Sequence, residues 1–172
     1  MKTRFIGLLF ASMLMVLYPS ADVFGQDKKT IVLVRHVEKD SSPEADIADP
    51  DLSPEGRERA QRLVQAIKKY KPHEIFSTSY KRTMGTAEPI AKKRKKQIQT
   101  YDPAKHADLI EKMMASKTEH YLVVGHSNTI PSLANLLFKK EIFRQMPDTE
   151  YGVFWVIRVR NGVVTKVEVR PY

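Results

Sequence analysis

Two kinds of hydrophobic pattern alternate along the chain. Residues 30–34 and 121–124 are continuous apolar runs, rich in β-branched residues, and this is typical of strands buried on both faces. After Ser53 and Pro54, a residue pair typical of a helix N-terminus, apolar residues recur with a period near 3.6 up to Ile67. Alternation of this kind predicts an α/β fold.

Weaker patterns complete the prediction. Asn161-Gly162 between alternating segments indicates a β-hairpin with a type I′ turn. We therefore expect a three-layer sandwich with a mostly parallel central sheet, flanking helices and a C-terminal hairpin, and a site at the carboxyl ends of the strands. The other predicted elements are strands at residues 74–77 and 97–101, helices at residues 82–93 and 104–115, and a helix that contains Leu133, with Met113-Met114 and Leu136-Leu137 in the core.

The first residues have the layout of a secretory signal peptide. Lys2 and Arg4 precede an apolar run at residues 5–18, and Val23 and Gly25 occupy the −3 and −1 positions of a cleavage site before residue 26. We expect a signal peptide at residues 1–25, one domain at residues 26–172, and export to the periplasm or the exterior. An uncleaved anchor is the alternative, although the run is short for a bilayer span of about 20 residues.

Composition limits the chemistry. The chain has 172 residues and no cysteine, which excludes disulfides, thiolate metal sites and cysteine nucleophiles. Its net charge is +9, and removal of residues 1–25 leaves +8, a surplus that favours anionic partners. Residues 92–96 form a basic run, but few aromatic residues flank it, so we expect no specific nucleic acid partner.

Cationic and imidazole side chains follow three of the predicted strands. Arg35 and His36 follow the first, Arg82 opens the helix after the second, and His126 follows the fourth. Because these strand ends meet at one edge of the sheet, we expect a phosphate-binding pocket built from them. His73, His106 and His120 show no metal-ligand spacing, so we expect neither metal nor cofactor.

The two histidines extend the prediction from binding to catalysis. A neutral imidazole attacks phosphorus readily, and a covalent phosphohistidine divides hydrolysis into two easier steps. Phosphoryl transfer also requires compensation for charge on the equatorial oxygens. Arg35, Arg82 and a protonated His126 supply that charge without a metal.

Four motifs resemble those of the histidine phosphatase superfamily, the phosphoglycerate-mutase-like group. The resemblance implies that His36 is the phosphorylated nucleophile, that Arg35, Arg82 and His126 hold the phosphoryl group, and that Ser127 and Asn128 support it. The short length resembles the compact phosphohistidine and sugar-phosphate phosphatases. The motifs are Arg35-His36 with Glu38, the Leu52-Ser53 to Ala60 stretch, the Thr78 to Ala87 stretch around Arg82, and the Val123 to Asn128 stretch around His126.

The chain departs from this family pattern at two places. Val37 stands where the family has glycine, and we expect its side chain to lie near the pocket and narrow the range of substrates. The proton donor is also unassigned, because the stretch that carries it in the mutases is short here. Asp102 and Glu38 are the first candidates, with Asp46, Asp49 and Asp51 as rivals. Asp102 before Pro103 is more typical of a helix N-cap, and Glu38 of a partner to a site arginine.

The function that these features favour is metal-independent hydrolysis of a small phosphorylated substrate or of phosphohistidine, by a phosphoric monoester hydrolase of the histidine acid phosphatase type. The alternative is a catalytically weak module of the same fold that binds phosphate or polyanions. The unassigned proton donor and Val37 are the features that favour this alternative.

Overall fold

The computed structural model describes residues 27–172 and contains a single six-stranded sheet with four α-helices and one short 3-10 helix. The predicted signal peptide lies outside the described residues. In chain order the elements are β1 (Lys28–Arg35), α1 (Pro54–Ala66), the 3-10 helix (Lys68–Tyr70), β2 (Glu74–Ser77), α2 (Lys81–Arg94), β3 (Ile98–Thr100), α3 (His106–Ala115), β4 (His120–Gly125), α4 (Thr129–Phe138), β5 (Val153–Arg160) and β6 (Val163–Pro171).

The strands lie in the order β3-β2-β4-β1-β5-β6. The first four in this order pair in parallel, and β5 and β6 add antiparallel strands at one side. The register places Arg35 opposite Gly125 and Ser77 opposite Val124, so β1, β2 and β4 end level with one another. The predicted α/β architecture with a mostly parallel sheet is confirmed.

Helices cover both faces of the sheet, which makes the three layers. Along β1, Ile31 and Leu33 face the α3 and α4 layer, whereas Val32 and Val34 face the α1 and α2 layer. This alternation follows from the two-residue period of a strand and explains why β1 is apolar at every position of its centre. The side chains that cover the two faces include Leu109, Met113 and Leu133 on one side, and Leu63, Ile67 and Ile90 on the other.

Local signals in the sequence set two of the element boundaries. Ser53 accepts a hydrogen bond from the Gly56 amide at 3.0 Å and so caps α1, with Pro54 as its first residue. Asn161 and Gly162 have φ values of 50° and 73°, the left-handed pair that a type I′ turn requires. Both predictions are confirmed.

Two details of the helix prediction are wrong. α3 begins at His106, and Asp102 instead accepts the Ala104 amide at 2.9 Å in a turn before the helix, so it is not the N-cap. Leu136 is 46% exposed. The reason is that α4 buries the row that contains Leu133 and Leu137, four residues apart, and Leu136 lies beside this row.

The basic run at residues 92–96 lies at the end of α2. The helix has 14 residues, which separates its two ends by about 20 Å. Arg82 is near its first residue, so the basic run is remote from the strand ends. Within residues 27–172, no helix combines the length and the apolar character that a membrane crossing needs.

Candidate active site

A cavity of about 790 Å³ opens at the carboxyl ends of β1, β2 and β4. Six predicted site residues line it together, and these are Arg35, His36, Arg82, His126, Ser127 and Asn128. Other lining residues were not predicted, among them Lys39, Tyr80, Gln145, Asp148, Thr149 and Tyr151. Three of these six belong to residues 147–151, which have no regular period that a sequence pattern would show.

The His36 backbone continues the pairing of β1 with β4. Its amide donates to the Gly125 carbonyl at 2.8 Å, and its Nδ1 lies 2.8 Å from the Val37 carbonyl. A carbonyl only accepts, so Nδ1 carries the proton and the lone pair is on Nε2. The ring centroid of His36 is 5.5 Å from that of His126. The strand end therefore places a neutral histidine, with its lone pair on Nε2, in the lining of the cavity.

Burial keeps the two histidines neutral. It lowers the pKa of His36 to about 3, and the nearby His126, Arg35 and Arg82 act in the same direction against the Val37 hydrogen bond. The pKa of His126 is lowered to about 4, by burial first and then by Arg82 and Arg35. At neutral pH both rings are uncharged in this structure, so His126 lacks the proton that the sequence analysis expected.

Two threonine hydroxyls fix the tautomer of His126. Thr83 Oγ1 donates to the Tyr80 carbonyl at 2.8 Å, so the Thr78 hydroxyl is the donor in the 2.8 Å contact with Thr83. Thr78 Oγ1 must then accept from His126 Nε2 at 2.9 Å. The proton of neutral His126 is therefore on Nε2, and a second proton would go to Nδ1.

The residue directly before His126 is a glycine, Gly125, because no side chain fits at that position. A Cβ at this position would lie 2.5 Å from Thr129 Oγ1 and 2.8 Å from the Tyr101 hydroxyl. The same Thr129 hydroxyl accepts from the His126 amide at 2.7 Å. This tight packing at the start of α4 explains the Gly-His pair of the motif.

Arg35 is 6% exposed, and its guanidinium contacts residues 147–151. Its Nη1 donates to the carbonyls of Pro147 at 2.7 Å and Glu150 at 3.0 Å, and its Nη2 to that of Asp148 at 3.2 Å. Its Cζ lies 4.3 Å from the ring centroid of Tyr151. The remaining Nε is buried and has no hydrogen-bond partner in the protein. Arg35 lines the cavity, and its positive charge there fits an anionic ligand.

Arg82 reaches the cavity from the first turn of α2. Its Cζ lies 4.3 Å from the ring centroid of Tyr80, and its Nη1 lies 3.6 Å from Asp49 Oδ1. The same carboxylate accepts the Lys81 amide at 2.9 Å, so Asp49 binds the start of the helix. Asp46 pairs with Lys81 Nζ at 3.3 Å. Neither carboxylate lines the cavity.

Glu38 is not a partner of a site arginine. Arg59 Nε donates to both oxygens of its carboxylate, at 2.7 and 2.9 Å. Burial raises the pKa of Glu38, but these hydrogen bonds outweigh it and the net direction is down. Glu38 does not line the cavity, and neither does Asp102.

Val37 does not narrow the pocket. Its side chain is fully buried against Leu52 and Ala60. The backbone turns this side chain away from the cavity, which places it under α1. The expectation that Val37 narrows the range of substrates is therefore wrong, because its side chain does not lie in the cavity.

Ser127 and Asn128 occupy the turn that leads into α4. Asn128 is at the N-cap position, but its side chain caps no helix amide. The Ser127 carbonyl accepts the Met146 amide at 3.0 Å, which ties residues 139–152 to the strand ends. Among residues 27–172, no three His, Asp or Glu side chains form a group with metal-binding geometry.

Comparison with known proteins found one family model and several solved structures that are similar to the chain. The model of the histidine phosphatase superfamily (branch 1) matches residues 31–108. A mycobacterial glucosyl-3-phosphoglycerate phosphatase is similar with a TM-score of 0.65 and 14% identity, over 84% of this chain and 98% of that one. No curated protein matches the chain.

Two further solved structures share the fold. A phosphoserine phosphatase from Entamoeba histolytica has a TM-score of 0.61 and 14% identity, over 80% of this chain and 98% of that one. A protein assigned as a SixA phosphohistidine phosphatase from Nakamurella multipartitia has a TM-score of 0.58 and 18% identity, over 84% and 96%. The cavity therefore lies on a fold that these phosphatases share.

Proposed function

Because residues 31–108 match the model of the histidine phosphatase superfamily, we propose that the chain hydrolyses phosphate monoesters through a covalent phosphohistidine on His36, without a metal. The observation that carries the proposal is the state of His36. Its Nδ1 proton is bound to the Val37 carbonyl, its pKa is about 3, and its Nε2 is in a cavity with two arginines. An imidazole held in this way is neutral at physiological pH and can attack phosphorus.

In the first step the Nε2 lone pair attacks phosphorus, and the bond from phosphorus to the ester oxygen breaks. The leaving oxygen takes the electron pair of that bond and a proton, and departs as an alcohol. In the second step water attacks the phosphohistidine, the bond from phosphorus to Nε2 breaks, and inorganic phosphate is released. Neutral imidazole is regenerated, because Nδ1 keeps its proton throughout.

Three groups balance the charge of the phosphoryl oxygens. The guanidinium groups of Arg35 and Arg82, which both line the cavity, donate to these oxygens. A bound dianion also raises the pKa of His126, and the proton it takes up goes to Nδ1 because Nε2 is bound to Thr78. The start of α4, where Ser127 and Asn128 line the cavity, adds its dipole. His126 is thus charged in the complex, although it is neutral in the empty site.

The substrate class is a small phosphorylated molecule or phosphohistidine. The cavity of about 790 Å³ exceeds what a phosphate group alone fills, and Tyr80 and Tyr151 line it beside the cationic groups. The solved structures with this fold include phosphatases of a glucosyl phosphoglycerate and of phosphoserine. Both are small molecules with polar leaving groups, which suit a cavity of mixed polarity.

The test is hydrolysis of p-nitrophenyl phosphate by residues 26–172 in the presence of EDTA, with His36→Ala alongside. We expect chelator-resistant turnover in the wild type and a loss of at least about 10³-fold in the variant, because covalent catalysis is removed. Rapid acid-free quenching with radiolabelled substrate should trap label on the wild type only. Full activity in His36→Ala would contradict the mechanism.

The same experiment separates the phosphatase from a binding module. Tight phosphate binding by both proteins, without turnover and without a trapped phosphoenzyme, would favour the catalytically weak module. Lysine neutralisation at residues 92–96 serves as the matched control, since this basic run lies at the far end of α2 from Arg82. Activity should be unchanged in that control.

We also propose that the chain is exported through a signal peptide at residues 1–25. The support is the pattern of that segment, with Lys2 and Arg4 before an apolar run and Val23 and Gly25 before the cleavage site. Intact-mass analysis of the protein from an exporting host should give a chain that starts at Gln26. Recovery of the full-length chain in the membrane fraction would support an uncleaved anchor instead.

A further inference from the structure

The leaving oxygen of an alkyl phosphate needs a proton, and the structure offers one carboxyl group to supply it. Of the described side chains that line the cavity, Asp148 alone is a carboxylic acid. It lies in the 139–152 segment, which connects α4 to β5. No sequence motif marked it.

The backbone at Asp148 is held against the site from both sides. Its carbonyl and those of Pro147 and Glu150 accept from Arg35, and the preceding Met146 amide donates to the Ser127 carbonyl. Met146 is 5% exposed and anchors the segment. The Asp148 side chain is 92% exposed, with Oδ1 3.7 Å from Arg35 Nη2. A fixed backbone thus holds a solvent-accessible carboxyl beside a residue that would hold the phosphoryl group.

Other acids are excluded by their contacts. Glu38 is bound to Arg59 away from the cavity, and Asp102 is occupied in the turn before α3. His126 is neutral in this structure, and its Nε2–H donates a hydrogen bond to Thr78 Oγ1. When a dianion charges His126, its new proton is engaged by the phosphoryl oxygens and is not available to the leaving group.

We propose that Asp148 is the general acid of the reaction, an assignment that rests on the proposed function. As Nε2 of His36 bonds to phosphorus and the ester bond breaks, the Asp148 carboxyl gives its proton to the leaving oxygen and becomes a carboxylate. In the second step this carboxylate takes a proton from the attacking water. The acid is thereby restored when phosphate is released.

The test compares two esters with Asp148→Asn. p-Nitrophenolate leaves without a proton, whereas the alkoxide of β-glycerophosphate requires one. We expect kcat/KM of the variant to fall about 10²- to 10⁴-fold for β-glycerophosphate and to stay within about threefold for p-nitrophenyl phosphate. The parameter kcat/KM is used because it reports the first step and is unaffected by slower hydrolysis of the phosphoenzyme.

Asp102→Asn is the matched control, because Asp102 also lies on a loop near the cavity mouth. It should leave both esters unchanged. An equal loss for both esters in Asp148→Asn, no loss for either, or the ester-dependent loss in Asp102→Asn would overturn the assignment. His36→Ala should abolish hydrolysis of both esters, which differs from the ester-dependent loss expected for Asp148→Asn. If the wild type hydrolyses neither ester, the proposed function and this assignment fall together.

Discussion

The cavity has one side built from strand ends and another built from an irregular segment. On the first side, parallel pairing of β1, β2 and β4 fixes where His36, Arg82 and His126 meet. On the second side, the 139–152 segment has no helix or strand, and its position depends on hydrogen bonds with Arg35, Asn135 and Ser127. The two sides are therefore held in place by different means.

Arg35 links the two sides and shows what the difference implies. It leaves the end of β1 and binds three carbonyls more than 100 residues later in the chain. The same side chain lines the cavity in which the phosphoryl group is proposed to bind. The position of the residues on the strand side thus depends on the pairing register of the strands, whereas the position of the 139–152 segment depends on a side chain that is also proposed to hold the phosphoryl group. Variants on the two sides should fail in different ways.

Among the variants that test this comparison, the largest effect is expected on the strand side, from Arg82→Ala. Loss of a preorganised donor to the phosphoryl oxygens should lower kcat about 10²- to 10³-fold with little change in folding. Steady-state kinetics with p-nitrophenyl phosphate measures it. Lys81→Ala is the matched control, because Lys81 is the neighbouring residue on α2 and pairs with Asp46 outside the cavity. An equal effect in both variants would show that the start of α2, and not the Arg82 charge, is responsible.

The next effect is a loss of stability in acid, which also belongs to the strand side. The folded-state pKa of His36 is about 3, below the unfolded value of 6.5. As pH falls from 6.5 towards 3, the unfolded chain binds a proton that the folded chain does not, so stability is full above pH 6.5 and is lost in acid. At pH 5 this amounts to about 2 kcal/mol, and His126 acts in the same direction.

Urea unfolding at pH 7.5 and pH 5 measures this loss, with His36→Gln as the comparison. The neutral variant should show a smaller difference between the two pH values, since other groups titrate alike in both proteins. An identical pH dependence in wild type and variant would mean that His36 is not desolvated in the folded chain.

The smallest effect is expected on the segment side, from Asn135→Ala. Asn135 is 5% exposed and makes four hydrogen bonds to residues 141–143, two through each side-chain atom. Their loss should lower the free energy of unfolding by about 1–2 kcal/mol and raise KM a few-fold with kcat nearly unchanged. Urea unfolding and steady-state kinetics measure both quantities.

Leu136→Ala is the control for this substitution, because Leu136 is adjacent on α4 and 46% exposed. It should change neither quantity appreciably. A fall in kcat as large as that of Arg82→Ala would contradict the distinction between the two sides of the cavity.

Sequence patterns predicted the strand side of the cavity because its residues directly follow segments that can be identified from neighbouring residues alone. Continuous apolar runs identified β1 and β4. Because these parallel strands end at the same level, the residues that follow them lie close together. Ser53, Pro54 and the Asn161-Gly162 pair act through their own backbone and neighbours, so their roles were also readable. The extents of β3 and α3 were less accurate, because edge strands and helix starts depend on tertiary contacts.

The position of the 139–152 segment could not be predicted from the sequence in the same way. Asp148 and Tyr151 enter the cavity only because Arg35, Met146 and Asn135 hold the segment there, and these contacts span long sequence separations. Glu38 was assigned to a site arginine because its true partner, Arg59, lies on α1 and no pattern joins the two. Val37 faces away from the cavity because it packs against Leu52 and Ala60. Such orientations follow from the folded core.

The C-terminal hairpin ends the sheet with β6, a nine-residue strand whose outer backbone groups have no other strand of residues 27–172 beside them. Val163 and Val169 are 65% and 56% exposed there, which is a surface to which another copy of the chain could add by β-augmentation. Between and beside them stand Lys166, Glu168 and Arg170, joined by ion pairs. These charges would have to be buried if two edges met, so the same hairpin that completes the fold also resists aggregation.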